Sequence, residues 1–465
     1  MRKTTVTNFF ASSVREYSVA ANVRAIPDLI DGFKPSQRKV IFGTLKKAGS
    51  IPETGMKVSQ LSAAIALVAC YHHGEGSLES TVVGLAQDYP GANNLNYLKP
   101  LGQFGSRLAN SPSASRYIFT DLADCFRKLF KKDDDLILKH LIEDGDEIEP
   151  QRYLPILPNV LVNGTSGMGT GFATNILPYN PEDLRKYLID KLKIGTTKVK
   201  LAPWFRGFTG KVERLPTGQI MMTGKVVKES STKLVVTELP IGIYQDSYKE
   251  TLFGLQDAGF IKDFDNESTV NGFRFVLDVP RITGYAEEAE LITKLKLTLK
   301  TTENLTVWLP SGKLKCFKTP EELVDAFLEY RLERYEDRRL AKIEELSARL
   351  EVLLEKVRFI ELYLQDGMAG KVSKLTKAQL EAMLTADGFK HVDQLLEIKI
   401  YNLTQDNIDK LLAEVALMTQ QIEYFQQQTK ETLYLKDLVE LDMKDDLKPP
   451  VKVLKGKKGS KALVE

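Results

Sequence analysis

Residues 71–121 read YHHGEGSLESTVVGLAQDYPGANNLNYLKPLGQFGSRLANSPSASRYIFTD, and the reading of this stretch decides the fold. Tyr71-His72-His73-Gly74-Glu75-Gly76-Ser77 sets two imidazoles beside two glycines. Gly102-Gln103-Phe104-Gly105-Ser106-Arg107 is a glycine loop of the kind that lets backbone come close to a bulky ligand. Ser115-Arg116-Tyr117 puts a phenol next to a guanidinium. A tyrosine hydroxyl, with an ordinary pKa of about 10, is a weak nucleophile until neighbours take its proton and stabilise the developing charge. A phosphodiester under attack spreads negative charge over its non-bridging oxygens, which an arginine fork matches and a histidine can serve with a proton. Tyr117, Arg116 and His73 are therefore candidate catalytic residues for phosphoryl transfer through a phosphotyrosyl intermediate.

The Arg-Tyr pair alone does not single out Tyr117. The same pair stands at Arg152-Tyr153 and Arg334-Tyr335, and the chain has 17 tyrosines. Context selects it: two of the four histidines lie in the first turn, and the glycine loop and Arg116-Tyr117 follow. Upstream, Ser36 is a candidate N-cap for a helix over 37–47. On that helix Val40, Ile41, Leu45 and Ala48 face inward and the basic residues outward. Residues 56–67 predict a second helix, and another starts at Leu78.

The wording of several stretches resembles the DNA breakage-reunion region of type IIA topoisomerases. They are YHHGEGSLESTVVGLAQ, NNLNYLKPLGQFGSR and SASRYIFTDL, with IPDLIDGFKPSQRKVIFG upstream and LPNVLVNGTSGMGTGFATNI downstream. The likeness is nearer to the eukaryotic enzymes and the T-even phage medium subunit than to bacterial gyrase. It implies a basic helix-turn-helix with a β-wing. It also places duplex phosphates at Lys34-Pro35 and Arg38-Lys39. Arg24, Lys57, His72, Ser77 and Arg107 are further expected DNA contacts. Met168, where relatives usually carry isoleucine, is the expected apolar wedge between base pairs.

The resemblance implies a mixed α+β, multidomain fold. Residues 1–30 are an N-terminal arm with a helix that sets Val14, Tyr17, Ala21 and Val23 on one face, 31–155 the winged-helix domain, and 156–315 an α+β tower domain. Residues 160–174 are expected to be a second glycine loop, 211–214, 219–228 and 233–238 alternating strands, and 244–259 and 286–300 helical. Residues 316–435 form a long antiparallel coiled-coil hairpin with a small helical dimerisation head. The heptad spacing of Ile343, Leu346, Leu350, Leu353, Val357, Ile360 and Leu364 supports the hairpin. Ile408, Leu411, Val415, Met418, Ile422 and Phe425 repeat it. Residues 436–465 are expected to be a disordered basic tail.

Composition bounds the function class. The chain has 465 residues, is 43% apolar and carries a net charge of +2. Charge is uneven: residues 1–60 hold ten Lys/Arg against four Asp/Glu, which suits a polyanion partner. Three scattered cysteines form no disulfide framework, and no apolar run suits a membrane span, so a reduced, cytoplasmic setting is expected. Asp133–Asp135 and Asp144–Glu147 do not have calcium-loop spacing, and no metal site is expected on this chain. No Gly-Lys pair fits a P-loop. The resemblance implies that Mg2+ and ATP hydrolysis come from a partner ATPase subunit. Double-stranded DNA and a second copy of the chain, as a homodimer, are the other expected partners. A non-catalytic dimeric DNA scaffold of the same fold is the alternative.

Overall fold

A computed structural model describes residues 5–365, 367–372 and 375–449. The chain forms two compact units. The first comprises residues 1–132, 138–331 and 437–465; the second comprises 133–137 and 332–436.

In the first unit the N-terminal segment is helical rather than a loose arm. A π-helical turn Phe10–Val14 leads into the helix Arg15–Ala25, whose only buried residue is Asn22. The apolar face expected at Val14, Tyr17, Ala21 and Val23 is not a core face, since Tyr17 and Val23 are exposed. The arm also ends earlier than residue 30. Ile26, Leu29 and Ile30 are buried, and Asp28 makes a parallel bridge to Trp308.

The basic helix runs Pro35–Lys47. Its cap is Lys34, not Ser36: Pro35 occupies the first turn, where a missing N–H costs nothing, and the Lys34 N–H donates to Gln37 Oε1 at 2.9 Å. Val40 and Ile41 are buried as expected, joined by Phe42, while Ala48 is exposed. The second helix starts two residues later than its apolar pattern suggests, at Val58–Val68. Met56–Lys57 form instead a strand antiparallel to Phe119–Thr120, with Lys57 opposite Phe119. The helix Glu75–Ala86 follows. Phe33, Tyr97, Phe126, Phe130 and Tyr153 make an edge-to-face and stacked aromatic core beneath these helices.

The stretch 160–174, expected to be a glycine loop, is a short helix Asn159–Asn163 followed by a hairpin of Thr165–Met168 and Ala173–Ile176. Beyond it lie two antiparallel sheets. One orders the strands Asp263–Asn266, Phe275–Asp278, Lys233–Glu238 and Lys225–Ser230; the other Thr298–Thr301, Ile220–Thr223 and Lys211–Arg214. The strand expected over 219–228 is thus broken at Gly224 and shared between the sheets. Tyr248 and Leu252, on the helix Gln245–Asp257, pack with Leu291 and Leu295 on Leu234, Val236, Phe275 and Leu277. The helix expected over 286–300 stops at Lys294; Lys296 has a φ of 53°, and the chain turns into Thr298–Thr301.

The helix Pro320–Leu364 is continuous for 45 residues, and its part from Leu332 belongs to the second unit. The return helix is Gln405–Gln427. The heptad stripe is the packed one, with Leu346, Val357, Ile360, Ile408 and Ile422 buried and only Leu364 strongly exposed. Val357 and Ile360 meet Ile408 directly. Between the helices sits a small head, whose core is Phe359, Leu384, Phe389 and Leu395. Asp133 and Asp134 lie 3.7 Å from the Arg338 guanidinium, as ion pairs.

The tail boundary at 436 is too early. The helix Lys430–Glu440 crosses it, and Leu438, Leu441 and Met443 are buried, held by apolar contact that a charge count does not register. Residues 450–465 of the expected tail lie outside the described residues. Cys70, Cys125 and Cys316 are free thiols. Among the described residues no helix is long and apolar enough to cross a membrane.

Candidate active site

Tyr117 sits in a turn, Ser115–Tyr117, that leads into the strand Phe119–Thr120. The Tyr117 N–H donates to the Ala114 carbonyl at 2.9 Å. The Ile118 and Ser115 carbonyls accept from the Val58 and Ser59 N–H groups, at 3.0 and 3.4 Å. These are orphan donors at the start of the helix Val58–Val68, so the turn is docked on a helix N-terminus. The phenol is 69% exposed and lies under the Arg116 guanidinium, 5.3 Å from ring centre to Cζ. Its rivals are excluded by burial. Tyr153 is 5% exposed within the aromatic core, and Tyr335 is fully buried against Tyr434.

The histidine turn follows the same helix. His73 is exposed, its ring edge-on to Tyr71 at 5.4 Å. His72 Nε2 lies 2.9 Å from Glu143 Oε1, a residue that the sequence pattern did not mark. Ser77 is exposed in the first turn of the helix Glu75–Ala86.

The other expected DNA contacts divide. Arg24 is exposed on its helix, and Lys57 is half-buried beside Phe119. Arg38, Lys39 and Arg107, by contrast, face inward. Arg38 grips the fully buried Asp31 through Nε at 2.6 Å and Nη2 at 3.1 Å, and also donates to the Phe33 carbonyl. Burial opposes its charge, but Asp31 more than restores it, and the guanidinium pKa is raised. Lys39 Nζ donates to the Ala69 carbonyl at 2.5 Å and to Glu149 Oε2 at 3.0 Å. Arg107 donates to the Leu239 carbonyl at 2.7 Å, pairs with Glu238 at 3.3 Å and stacks over Phe273. Burial lowers its pKa. A basic residue beside a glycine loop looks like a phosphate ligand in sequence; here buried carboxylates and carbonyls have taken all three.

Lys34 is intermediate. Its Nζ donates to the Ser166 carbonyl at 2.7 Å, tying the basic helix to the hairpin that carries Met168, and burial lowers its pKa. At the tip of that hairpin Met168 is 89% exposed, with Phe172 also exposed. Gly167 lets the hairpin lie on the preceding helix, because a Cβ there would stand 2.1 Å from the Ala25 carbonyl oxygen. Asn22 Nδ2 completes the contact by donating to the Thr170 carbonyl at 3.1 Å. Among the described residues no group of three or more His, Cys, Asp or Glu is placed to hold a metal ion.

The helices Pro35–Lys47, Val58–Val68 and Glu75–Ala86 with the strand pair Met56–Lys57 and Phe119–Thr120, an exposed Arg-Tyr turn beside it, paired sheets and a heptad hairpin with a head define a class. It is the DNA breakage-reunion core of type IIA topoisomerases. The family of A-type subunits of DNA gyrase and topoisomerase IV matches residues 24–444, and the chain belongs to that family. It is 34% identical to DNA topoisomerase 2 of Arabidopsis thaliana over 95% of this chain and 33% of that protein. It is 35% identical to DNA topoisomerase 2 of Saccharomyces cerevisiae over 78% of this chain and 26% of that one. The chain therefore spans about a quarter to a third of the length of the curated relatives it matches. A crystal structure of the Plasmodium falciparum topoisomerase II DNA-binding, cleavage and re-ligation domain superposes with a TM-score of 0.85. That match has 32% identity and covers 93% of this chain and 63% of that one.

Proposed function

We propose that this chain is the DNA cleavage-rejoining part of an ATP-dependent type IIA topoisomerase. The observation that carries the reading is the exposed Tyr117 phenol beneath Arg116, on a turn pinned to a helix N-terminus. In this reading the Tyr117 oxygen attacks a backbone phosphorus. A phosphorus–oxygen bond to tyrosine forms as the bond to the 3′-oxygen breaks, leaving a 5′-phosphotyrosyl link and a free 3′-hydroxyl. Arg116 stabilises the charge on the non-bridging oxygens, and His73 handles the phenol proton. The reverse attack by the 3′-hydroxyl rejoins the strand, so the energy of the phosphodiester is kept in the link.

Arg24, Lys34, Lys57, His72 and Ser77 are the proposed duplex contacts, and Met168 the wedge at a kinked step. Two chains are proposed to act as a homodimer through the head, where Ile400 and Tyr401 are exposed apolar side chains. Mg2+ and ATP are assigned to an ATPase partner, with this chain acting in the manner of the T-even phage medium subunit. The holoenzyme would then relax and decatenate DNA.

The test is covalent trapping. With the partner and Mg2+ present, detergent should release protein linked to 5′ DNA ends, and peptide mapping should place the link on Tyr117. Tyr117→Phe should bind DNA and give no adduct, whereas Tyr153→Phe should keep it. An adduct on any other residue refutes the assignment.

A further inference from the structure

We infer that Glu143 and Lys39 are positioning residues that hold the histidine turn in place for the cleavage site, an inference that rests on the reading of that site given above. The turn needs holding. The helix Val58–Val68 ends with Ala69, and the Tyr71 N–H reaches back to the Ala66 carbonyl at 3.1 Å, six residues closed in a Schellman pattern. The residue between is Cys70, at a φ of 46°. Glycine is the usual occupant of that left-handed position, and a side chain there is strained by about 1–2 kcal/mol. Such strain persists only where the surroundings over-determine the conformation.

Two tethers over-determine it, one on each side of Cys70. Before it, the Ala69 carbonyl, left without a helical donor, accepts from Lys39 Nζ at 2.5 Å. An ammonium at a helix C-terminus also meets the negative end of the dipole. After it, His72 Nε2 meets Glu143 Oε1 at 2.9 Å. A carboxylate only accepts, so Nε2 carries the proton and Nδ1 is left on the other edge of the ring.

Glu143 is itself well placed to act as an anchor. It is the last residue of the strand His140–Glu143, paired with Asp146 across the two-residue turn Asp144-Gly145, whose φ values are 52° and 90°. Two positive φ values in a two-residue loop are the preferred, rigid hairpin geometry. The other strand of that hairpin supplies Glu149, buried, which binds Lys39 at 3.0 Å, while Glu143 Oε2 lies 3.7 Å from the same ammonium. One hairpin and one lysine thus fix the backbone at Ala69 and the ring of His72, the residue before His73. Nothing in this arrangement leaves Lys39 facing a phosphate.

The experiment compares Glu143→Ala, Glu143→Gln and Lys39→Met with the wild-type chain. Hydrogen exchange in the peptide 70–77 should be at least about tenfold faster in Glu143→Ala and Lys39→Met. Tyr117–DNA adduct formation should be about 10–100-fold slower, the loss expected when a reacting group is displaced by about 1 Å. Glu143→Gln keeps an acceptor at Oε1 and should recover most of the rate. The slope of log affinity against log salt should be unchanged, since a phosphate contact is not being removed. A slope lowered by about 0.9 in Lys39→Met marks a lost phosphate contact and overturns the inference. Unchanged exchange in Glu143→Ala overturns it too, as does Glu143→Gln behaving like Glu143→Ala. If the wild-type chain forms no Tyr117 adduct, the functional reading fails, while exchange and salt slope still decide the positioning role.

Discussion

Replacing Arg38 by methionine separates two readings of the basic helix with one protein. The side chain keeps an unbranched apolar stem and loses the guanidinium and its charge. In the structure its loss strips the fully buried Asp31 of two hydrogen bonds, at 2.6 and 3.1 Å, leaving only the Phe33 and Tyr153 N–H groups as donors. Removing one partner of a buried pair costs roughly 3–5 kcal/mol, because an uncompensated charge remains inside. Against a total stability of about 5–15 kcal/mol, that is a large fraction.

The deficit should also depend on pH. Asp28 already sits above the usual carboxylate range, raised by burial and by Asp31 and pulled back by Arg38 and Arg152. Without Arg38 it rises further. A folded carboxyl raised above its unfolded value of about 3.9 binds protons preferentially in the native state, so stability falls as pH rises through that window. The variant should therefore melt far below wild type at pH 7 and recover part of the gap near pH 4. Thermal denaturation at both pH values, with the salt slope of DNA binding, makes the assay. A variant that melts like wild type but loses about 0.9 from the slope refutes the reasoning and returns Arg38 to the phosphates.

Three further outcomes follow from single contacts. Gly167→Ala forces a Cβ to within 2.1 Å of the Ala25 carbonyl oxygen, so the Met168 hairpin should lift and be cut faster by protease; unchanged cleavage kinetics refute the contact. Met168→Ala should leave affinity set by phosphate contacts and reduce the DNA bend, read by energy transfer between labelled ends. At Glu355, burial opposes the charge, but the Lys390 and His391 N–H groups and the His391 ring hold its pKa below the usual value. A lowered folded pKa gives stability above the unfolded value of about 4.3 and loses it as pH falls through the folded one. Glu355→Gln should therefore melt below wild type at pH 7, with the gap narrowing as pH falls below about 4.3.

The sequence made periodic and punctuated features legible. The heptad seam appears as the packed stripe of the second unit because a 3-4 spacing has one structural solution, and only Leu364, at the helix end, escapes it. The order of histidine turn, glycine loop and Arg-Tyr pair marked the candidate site because each piece carries its chemistry in residue type. Boundaries were less visible. Apolar pattern alone placed Met56 and Lys57 on a helix, yet they pair with Phe119–Thr120, which lies more than 60 residues away and leaves no local signal. The helix expected to run to 300 fails for the same reason, since Thr298–Thr301 is recruited by Ile220–Thr223.

Charge was misread in a more instructive way. A cation in sequence announces only that an anion is near, not which one. Lys34, Arg38, Lys39 and Arg107 stand where a polyanion is expected, and each meets an acceptor inside the fold: Ser166, Asp31, Glu149 and Glu238. Asp31 lies seven residues from Arg38 and was within reach of inspection. Glu149 and Glu238 lie more than 100 residues from their partners and were not. Buried carboxylates of this kind need cations as much as DNA does, because an unpaired charge inside costs several kcal/mol while a surface phosphate contact exchanges one hydrated ion for another. So Arg38, Lys39 and Arg107 are each paired inside the fold. Arg24 and Arg116 stay exposed, and the inward set ties the basic helix and the glycine loop to the rest of the fold.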